Sequence, residues 1–187
     1  MIFFAEKATH EIKKLSLNKI IVITMIEKRD GEIFNFVKVF YNGVVVFERV
    51  KARLFRFGDE HKYMSEGSDE SFKIVEIESI KIAILICFEL RFKELWKLSE
   101  GADVIVIPSY WGVLRTEHFK SLTQSLAIIN QCYVVASDSM NDDCSKMSGI
   151  ITPQGIVERN FGKEFLELSY SKKEINLMRR YMNVGIK

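Results

Sequence analysis

Apolar residues in the first part of the chain form short strand-like runs around one stretch with helical spacing. The β-branched residues at 20–26 indicate a buried strand, and residues 9 or 10 to 17 carry apolar side chains at helical intervals. Asn42-Gly43 separates two further runs and favours a hairpin, because both turn positions require a positive φ. The predicted strands are 2–5, 20–26, 33–41 and 44–50.

The second part alternates strand-like and helix-like patterns. An apolar run at 82–86, a helical stretch and a second apolar run at 104–107 predict a βαβ unit with a parallel strand pair. Strands are predicted at 72–77, 81–86, 104–107, 132–137, 149–152 and 156–158, and helices at 89–98, 117–131 and 174–181. The pattern indicates an α/β fold with hairpins and a sheet that is not purely parallel. No linker is recognisable, so a single domain over residues 1–187 is predicted.

Composition excludes several classes of protein. The chain is 48% hydrophobic with a net charge of +2, which is typical of a globular protein. The basic residues are scattered, so neither nucleic acid nor an anionic membrane is an expected partner. No apolar run reaches the ~20 residues of a membrane span. The charged residues that follow the first apolar run come too early for a signal peptide. Three cysteines at scattered spacings predict a reducing cytoplasm, with no metal site.

Cys87 is the strongest candidate for chemistry. It lies between an apolar strand and a predicted helix, where α/β proteins expose side chains at the carboxyl edge of a sheet. A helix N-terminus lowers the pKa of a thiol and can bind a developing oxyanion. A cysteine taken alone is more often a small buried apolar residue. Cys132 and Cys144 serve as controls, since neither lies between a strand and a helix in this way.

Two charged residues also follow predicted strands. Lys51 ends the run 44–50, and an ammonium there could hold a thiol as thiolate and stabilise an oxyanion. Glu6 ends the run 2–5, and a carboxylate there could accept the thiol proton and return it to a leaving amine. The ordinary alternative for each is a solvated residue at the end of a strand.

The segment around the cysteine, Ile86-Cys87-Phe88-Glu89-Leu90-Arg91-Phe92, resembles the nucleophile segment of the nitrilase (carbon–nitrogen hydrolase) superfamily. The resemblance continues through 101–108, Trp111, 115–119 and 127–135. Lys51 with Leu54-Phe55 and Glu60-His61 is similar to the family's lysine segment, and 148–155 is similar to its late hairpin.

The resemblance implies an α-β-β-α sandwich of two mixed sheets flanked by helices. It implies that Cys87 is the nucleophile, Lys51 stabilises the intermediate and Glu6 is the general base. Glu60 would orient the substrate or the lysine, the Phe88 N–H would donate to the oxyanion, and Trp111 would support the site. The implied reaction is hydrolysis of a small non-peptide amide without a cofactor, by a homodimer or larger homo-oligomer. The lysine segment looks most similar to the ω-amidase branch, whose substrates carry a carboxylate.

Departures from the family pattern leave a second reading open. Family members usually have a strand and a helix before the glutamate strand, and here the chain would be N-terminally short. Other positions differ from the family's usual residues: Ala5, Arg53, Lys93, Leu126 and Ile129. The alternative is therefore a shortened, catalytically inactive homologue with a role in assembly or ligand binding. A cysteine peptidase is a weaker third reading, because neither His61 nor His118 lies in a context that indicates a base.

Overall fold

The structure is a computed structural model that describes residues 2–160 and 163–186, with side chains from residue 5 onward. The chain divides into two compact units, Met1–Phe72 and Lys73–Lys187. Each unit is described by itself below. The single domain stays a prediction.

The described residues of the first unit form the α-helix α1 (Ile2–Leu15), short 3-10 turns and a three-stranded sheet in the order β1-β2-β3. The strands are β1 (Ile21–Arg29), β2 (Glu32–Tyr41) and β3 (Val44–Val50), and both pairings are antiparallel. The hairpin predicted at Asn42-Gly43 is confirmed, with φ of 47° and 82° at the two turn residues. A second hairpin turns at Asp30-Gly31, an equally favourable dipeptide that the sequence analysis did not use.

The strand predicted at residues 2–5 is wrong, because these residues begin α1. A short apolar run cannot be assigned to a strand or a helix from its period alone. Here the residues that follow the run extend the helix as far as Leu15. The last turn of the helix carries Lys13 and Lys14. The predicted helix was therefore correct in type but began several residues too late. Thr9 Oγ1 lies 3.5 Å from Met25 Sδ and joins α1 to β1.

The second unit is built on a six-stranded sheet in the order β4-β5-β6-β7-β8-β9. The strands β5, β6 and β7 are parallel to one another, which confirms the predicted βαβ unit, and the outer pairings are antiparallel. The sheet is therefore mixed, as predicted. The strand bounds are β4 (Val75–Ile77), β5 (Ile80–Ile84), β6 (Val104–Pro108), β7 (Tyr133–Ser137), β8 (Gly149–Ile151) and β9 (Val157–Arg159).

Three α-helices accompany this sheet: α2 (Lys93–Leu98), α3 (Thr116–Asn130) and α4 (Lys172–Tyr181). The helix predicted at 89–98 is divided, because residues Cys87–Arg91 form a 3-10 turn and Phe92 is extended before α2 begins. Buried side chains of the sheet and α3 form the core, among them Ile105, Ile107, Phe119, Leu126 and Val134. Within the described part of the chain, no helix is long and apolar enough to cross a membrane.

Candidate functional site

Polar groups follow three parallel strands of the second unit, at one edge of the sheet. Cys87 follows β5, Tyr110 follows β6, and Asp138 follows β7. The carboxyl ends of neighbouring parallel strands lie side by side, so the segments after them converge. This edge is the place where an α/β fold most often carries its chemistry.

Cys87 stands in a strained turn at this edge. Its φ is 49°, in the left-handed region, which costs a non-glycine residue roughly 1–2 kcal/mol. The strand before it is anchored by Leu85 N–H, which donates to Val106 O at 3.0 Å. The buried carboxylate of Glu89 accepts the Ile86 N–H at 2.7 Å and closes the turn around the cysteine. The surrounding bonds thus hold the thiol in a conformation that the residue alone would not favour.

The three cysteines differ in their burial. Cys87 is half-buried, whereas Cys132 and Cys144 are buried. Burial raises the pKa of the Cys132 thiol to about 12. Burial also raises the pKa of the Cys144 thiol above its ordinary value. Neither of these two thiols is suited to form the thiolate that a nucleophile requires.

The Cys87 thiol donates to the backbone carbonyl of Tyr110, with Sγ and O 3.6 Å apart. The neighbouring Trp111 N–H donates to Asp138 Oδ1 at 2.8 Å, and the Trp111 carbonyl accepts the Ser145 N–H at 2.7 Å. The Ser145 hydroxyl donates to the other oxygen of the same Asp138 carboxylate. Asp138 and Ser145 therefore fix the loop after β6 at the peptide group that meets the thiol and at the peptide group that follows it.

Trp111 is only 3% exposed, so its indole offers little surface to a ligand. Its ring packs against Phe119 with centroids 5.2 Å apart, and the Arg91 guanidinium lies 4.8 Å from a Trp111 ring centroid. Arg91 also hydrogen-bonds His118 Nδ1 at 3.1 Å. The pKa of Arg91 is lowered mainly by burial and then by the nearby charge of Arg115. The supporting role of Trp111 stays a prediction.

Phe88 is the second residue of the 3-10 turn Cys87–Arg91, which places its backbone next to the thiol in the chain. Its ring meets Phe92 edge to face, with centroids 5.3 Å apart. The role of its N–H toward an oxyanion stays a prediction.

In the first unit, Lys51 and Glu60 form a tight ion pair. Lys51 directly follows β3, and its side chain is only 1% exposed. Its Nζ lies 2.8 Å and 2.7 Å from the two carboxylate oxygens of Glu60. Glu60 Oε2 also accepts the Phe55 N–H at 2.7 Å, which fixes the carboxylate to the loop after the strand. The two residues that the sequence placed in one segment are thus joined by the structure.

Glu6 lies in a different setting from the one expected. It is an exposed residue within α1, not a carboxylate at the end of a strand, so the local reason for choosing it as a base is lost. It lines a groove between α1 and the sheet together with Thr9, His10 and Lys38. Among the described residues, its side chain hydrogen-bonds neither Lys51 nor Glu60, whose side chains contact each other and the Phe55 N–H.

Tyr110, Glu89 and Asp138 belong to the site but were not among the predicted residues. For Asp138 a signal was present, since it follows an apolar strand that the sequence analysis had recognised. The part played by Tyr110 could not be predicted, because it uses a backbone carbonyl that any residue supplies. Across residues 2–160 and 163–186, no cluster of His, Cys, Asp and Glu is arranged to hold a metal ion.

The model of the carbon–nitrogen hydrolase family matches residues 15–181. A 2-oxoglutaramate amidase of Bacillus subtilis (strain 168) is 33% identical over 144 residues, which cover 73% of this chain and 55% of the relative. A deaminated glutathione amidase of Escherichia coli O157:H7 is 26% identical over 82% of this chain and 60% of the relative. The chain therefore spans little more than half the length of these curated relatives. The family match begins after Glu6, which lies outside it.

Solved structures show the same fold. Nit3 of Saccharomyces cerevisiae, a member of branch 10 of the nitrilase superfamily, superposes with a TM-score of 0.83 at 22% identity. That match covers 97% of this chain and 71% of the yeast chain. XC1258 of Xanthomonas campestris, a CN-hydrolase superfamily protein, gives a TM-score of 0.78 at 21% identity, over 91% and 69% of the two chains. The predicted nitrilase-like α/β fold is confirmed.

Proposed function

Because the chain belongs to the carbon–nitrogen hydrolase family, we propose that it hydrolyses the C–N bond of small amides through a thioester on Cys87. The observation that carries this proposal is the conformation of Cys87, a half-buried thiol held at φ 49° at the carboxyl end of β5. A strained backbone at a polar strand end is a common property of active sites. The matched relatives named amidases support the same type of reaction.

The proposed reaction has two stages. The Cys87 sulfur adds to the amide carbon while its proton passes to a carboxylate. When the C–N bond breaks, that proton moves to the nitrogen, and ammonia or an amine leaves behind a thioester. Water then adds to the thioester carbon, the C–S bond breaks, and the sulfur regains a proton as the carboxylic acid departs. The balance is one amide and one water giving one acid and one amine.

Lys51 is proposed to stabilise the tetrahedral oxyanion with its ammonium. A lysine that is 1% exposed and already held by both oxygens of Glu60 loses little conformational freedom when it acts. Glu60 is proposed to hold the ammonium in its orientation. The Phe88 N–H is proposed as a second donor to the oxyanion.

Glu6 stays the proposed general base on the resemblance alone, and Glu60 is the competing carboxylate. Measuring kcat in Glu6→Gln and Glu60→Gln tests which of the two carboxylates is the base. A general base contributes about 10²–10⁴-fold, so a loss of this size in Glu6→Gln supports Glu6. An unchanged kcat in Glu6→Gln would contradict Glu6 as the base, whereas a loss in Glu60→Gln is expected in either case because Glu60 holds Lys51.

The proposed function is tested by incubating the protein with glutaramate, an amide that carries a carboxylate, and measuring released ammonia. We expect ammonia release that is lost in Cys87→Ala and retained in the matched control Cys144→Ala. Ammonia release that survives Cys87→Ala would contradict the proposal.

The helical setting of Glu6 favours one alternative, a homologue that binds small amides without cleaving them. This alternative predicts that glutaramate binds to the wild-type protein, as measured by calorimetry, while no ammonia appears and no thioester forms. Formation of a glutaryl adduct on Cys87 would exclude it.

We also propose that the chain assembles as a homodimer or larger homo-oligomer, as the family resemblance implies. Exposed isoleucines of α3, 46% exposed at Ile128 and 55% at Ile129, are apolar surface of the kind that subunit contacts cover. Sedimentation velocity of the wild type and of Ile129→Lys tests this, and a monomeric wild type would contradict it.

A further inference from the structure

The peptide group between Tyr110 and Trp111 has a fixed direction. Its N–H donates to the buried Asp138 carboxylate at 2.8 Å, and Trp111 is anchored again by its indole N–H, which donates to Arg115 O at 2.8 Å. The N–H and C=O of a trans peptide point in opposite directions. Because Asp138 holds the N–H, the Tyr110 carbonyl is directed to the other side of the loop, where it meets Cys87 Sγ at 3.6 Å.

This carbonyl is an acceptor whose partner disappears during the reaction. Across the described residues, the Cys87 thiol is the hydrogen-bond donor that the structure shows for Tyr110 O. Once the thiol loses its proton, the carbonyl faces a thiolate that cannot donate. A carbonyl left without a donor in a partly desolvated site is unfavourable. The reacting substrate must therefore supply a donor at this position for the carbonyl to be satisfied.

We propose that the Tyr110 carbonyl binds the N–H of the scissile amide and of the departing amine, and so selects amides that carry at least one N–H. The inference rests on the proposed function. The scissile nitrogen is bonded to the carbon that the sulfur attacks, so it lies within reach of an acceptor that already contacts Sγ. The hydrogen bond strengthens as the nitrogen gains a proton and positive charge, because charge-assisted bonds are about twice as strong as neutral ones. The carbonyl therefore stabilises the transition state more than the bound substrate.

The selected substrate class follows from the donor requirement. Primary amides and amides with one nitrogen substituent can donate to the carbonyl. Disubstituted amides and esters offer no N–H, and an ester places an oxygen lone pair against the carbonyl oxygen. Asp138 acts as a positioning residue for this selection, since it touches the peptide group and not the substrate.

The test uses four compounds with one acyl group: glutaramate, its N-methyl and N,N-dimethyl derivatives, and monomethyl glutarate. All of them would give the same thioester, so differences between them report on the leaving group. Their dissociation constants are measured by calorimetry on Cys87→Ala, which needs no turnover, and kcat/KM is measured on the wild type. We expect the two compounds with an N–H to bind at least about fivefold more tightly than the two without one. Equal dissociation constants, or no binding by any of the four, would overturn the inference.

The positioning role is tested in the same assays. Asp138→Ala should reduce kcat/KM for glutaramate by at least about tenfold more than for monomethyl glutarate, because the carbonyl loses its direction. Ser145→Ala is the matched control, since it removes the other contact of the Asp138 carboxylate but leaves the bond to the Trp111 N–H. Asp138→Asn, which keeps an acceptor oxygen, should restore most of the preference for the amide. An equal loss for both compounds in Asp138→Ala would show a merely structural role and overturn the assignment of Asp138.

The inference and the proposed function fail in different ways. Absence of ammonia and of methanol release from every compound contradicts the hydrolase, while the dissociation constants still decide the role of the carbonyl. Turnover of all four compounds, with no preference for those that carry an N–H, supports the hydrolase and overturns the inference.

Discussion

Removing the carboxylate of Glu60 tests whether Lys51 is a buried cation held by a single partner. The Lys51 side chain is 1% exposed, and both carboxylate oxygens of Glu60 lie within 2.8 Å of its Nζ. Breaking a buried ion pair by removing one partner costs about 3–5 kcal/mol, because an uncompensated charge remains. We therefore expect Glu60→Gln to lower the free energy of unfolding by about 3–5 kcal/mol. At about 2–4 °C per kcal/mol, the melting temperature should fall by about 6–20 °C.

The converse substitution should cost less. Lys51→Met removes the buried cation and leaves Glu60, whose side chain is 21% exposed and still accepts the Phe55 N–H. Its expected cost is about 1.5–3 kcal/mol, the range for lost hydrogen bonds to a charged group. In the double variant Lys51→Met/Glu60→Gln, part of the Glu60→Gln loss should be recovered, which gives a coupling energy of at least about 1 kcal/mol.

The assay should report on backbone structure throughout the chain. Urea unfolding should be followed by far-ultraviolet circular dichroism. A loss below about 1 kcal/mol for Glu60→Gln is the value typical of a solvated surface pair. Such a result would refute the burial argument for Lys51.

Three further predictions concern the thiols and one surface carboxylate. Because Cys87 has φ 49°, Cys87→Gly should be about 1 kcal/mol more stable toward urea than Cys87→Ala; the opposite order would show that the turn is not strained. Since burial raises the pKa of Cys132 to about 12, iodoacetamide at pH 9 should label Cys132 only after unfolding; native labelling equal to that of Cys87 would contradict this. The hydrogen bond from Arg29 lowers the pKa of Glu48 below 4.5 in the folded state. The ionised Glu48 therefore contributes to the free energy of unfolding above pH 4.5, and this contribution is lost as the pH falls. Wild type should therefore lose more stability than Glu48→Gln in urea titrations below pH 4.5, and parallel pH profiles would contradict the shift.

The strands and their pairing were largely predictable, because they rest on local signals. The Asn42-Gly43 turn and the β-branched runs of β5 and β6 specify a hairpin and a parallel pair without reference to distant residues. The first residues were not predictable in the same way. A short apolar run fits a strand or a helix equally well. Here it is helical because the residues that follow continue the helix to Leu15.

The candidate site was predictable where side-chain chemistry and chain position agree. Cys87 and Lys51 stand out in the sequence because each follows a predicted strand, whereas Glu60 was indicated by the family resemblance. The split helix after Cys87 could not be foreseen, since it depends on a left-handed turn closed by the buried Glu89. The Tyr110 carbonyl gave no signal either, because backbone groups act by direction, and direction is set by tertiary contacts such as that of Asp138.

The most direct test of the proposed function is mass spectrometry of the intact protein during reaction with glutaramate, with acid quenching within seconds. The account predicts a transient glutaryl adduct that maps to Cys87, decays as glutarate appears, and is absent in Cys87→Ala. Ammonia release without an adduct at any quench time in the wild type, or an adduct that maps to Cys132 or Cys144, would contradict it.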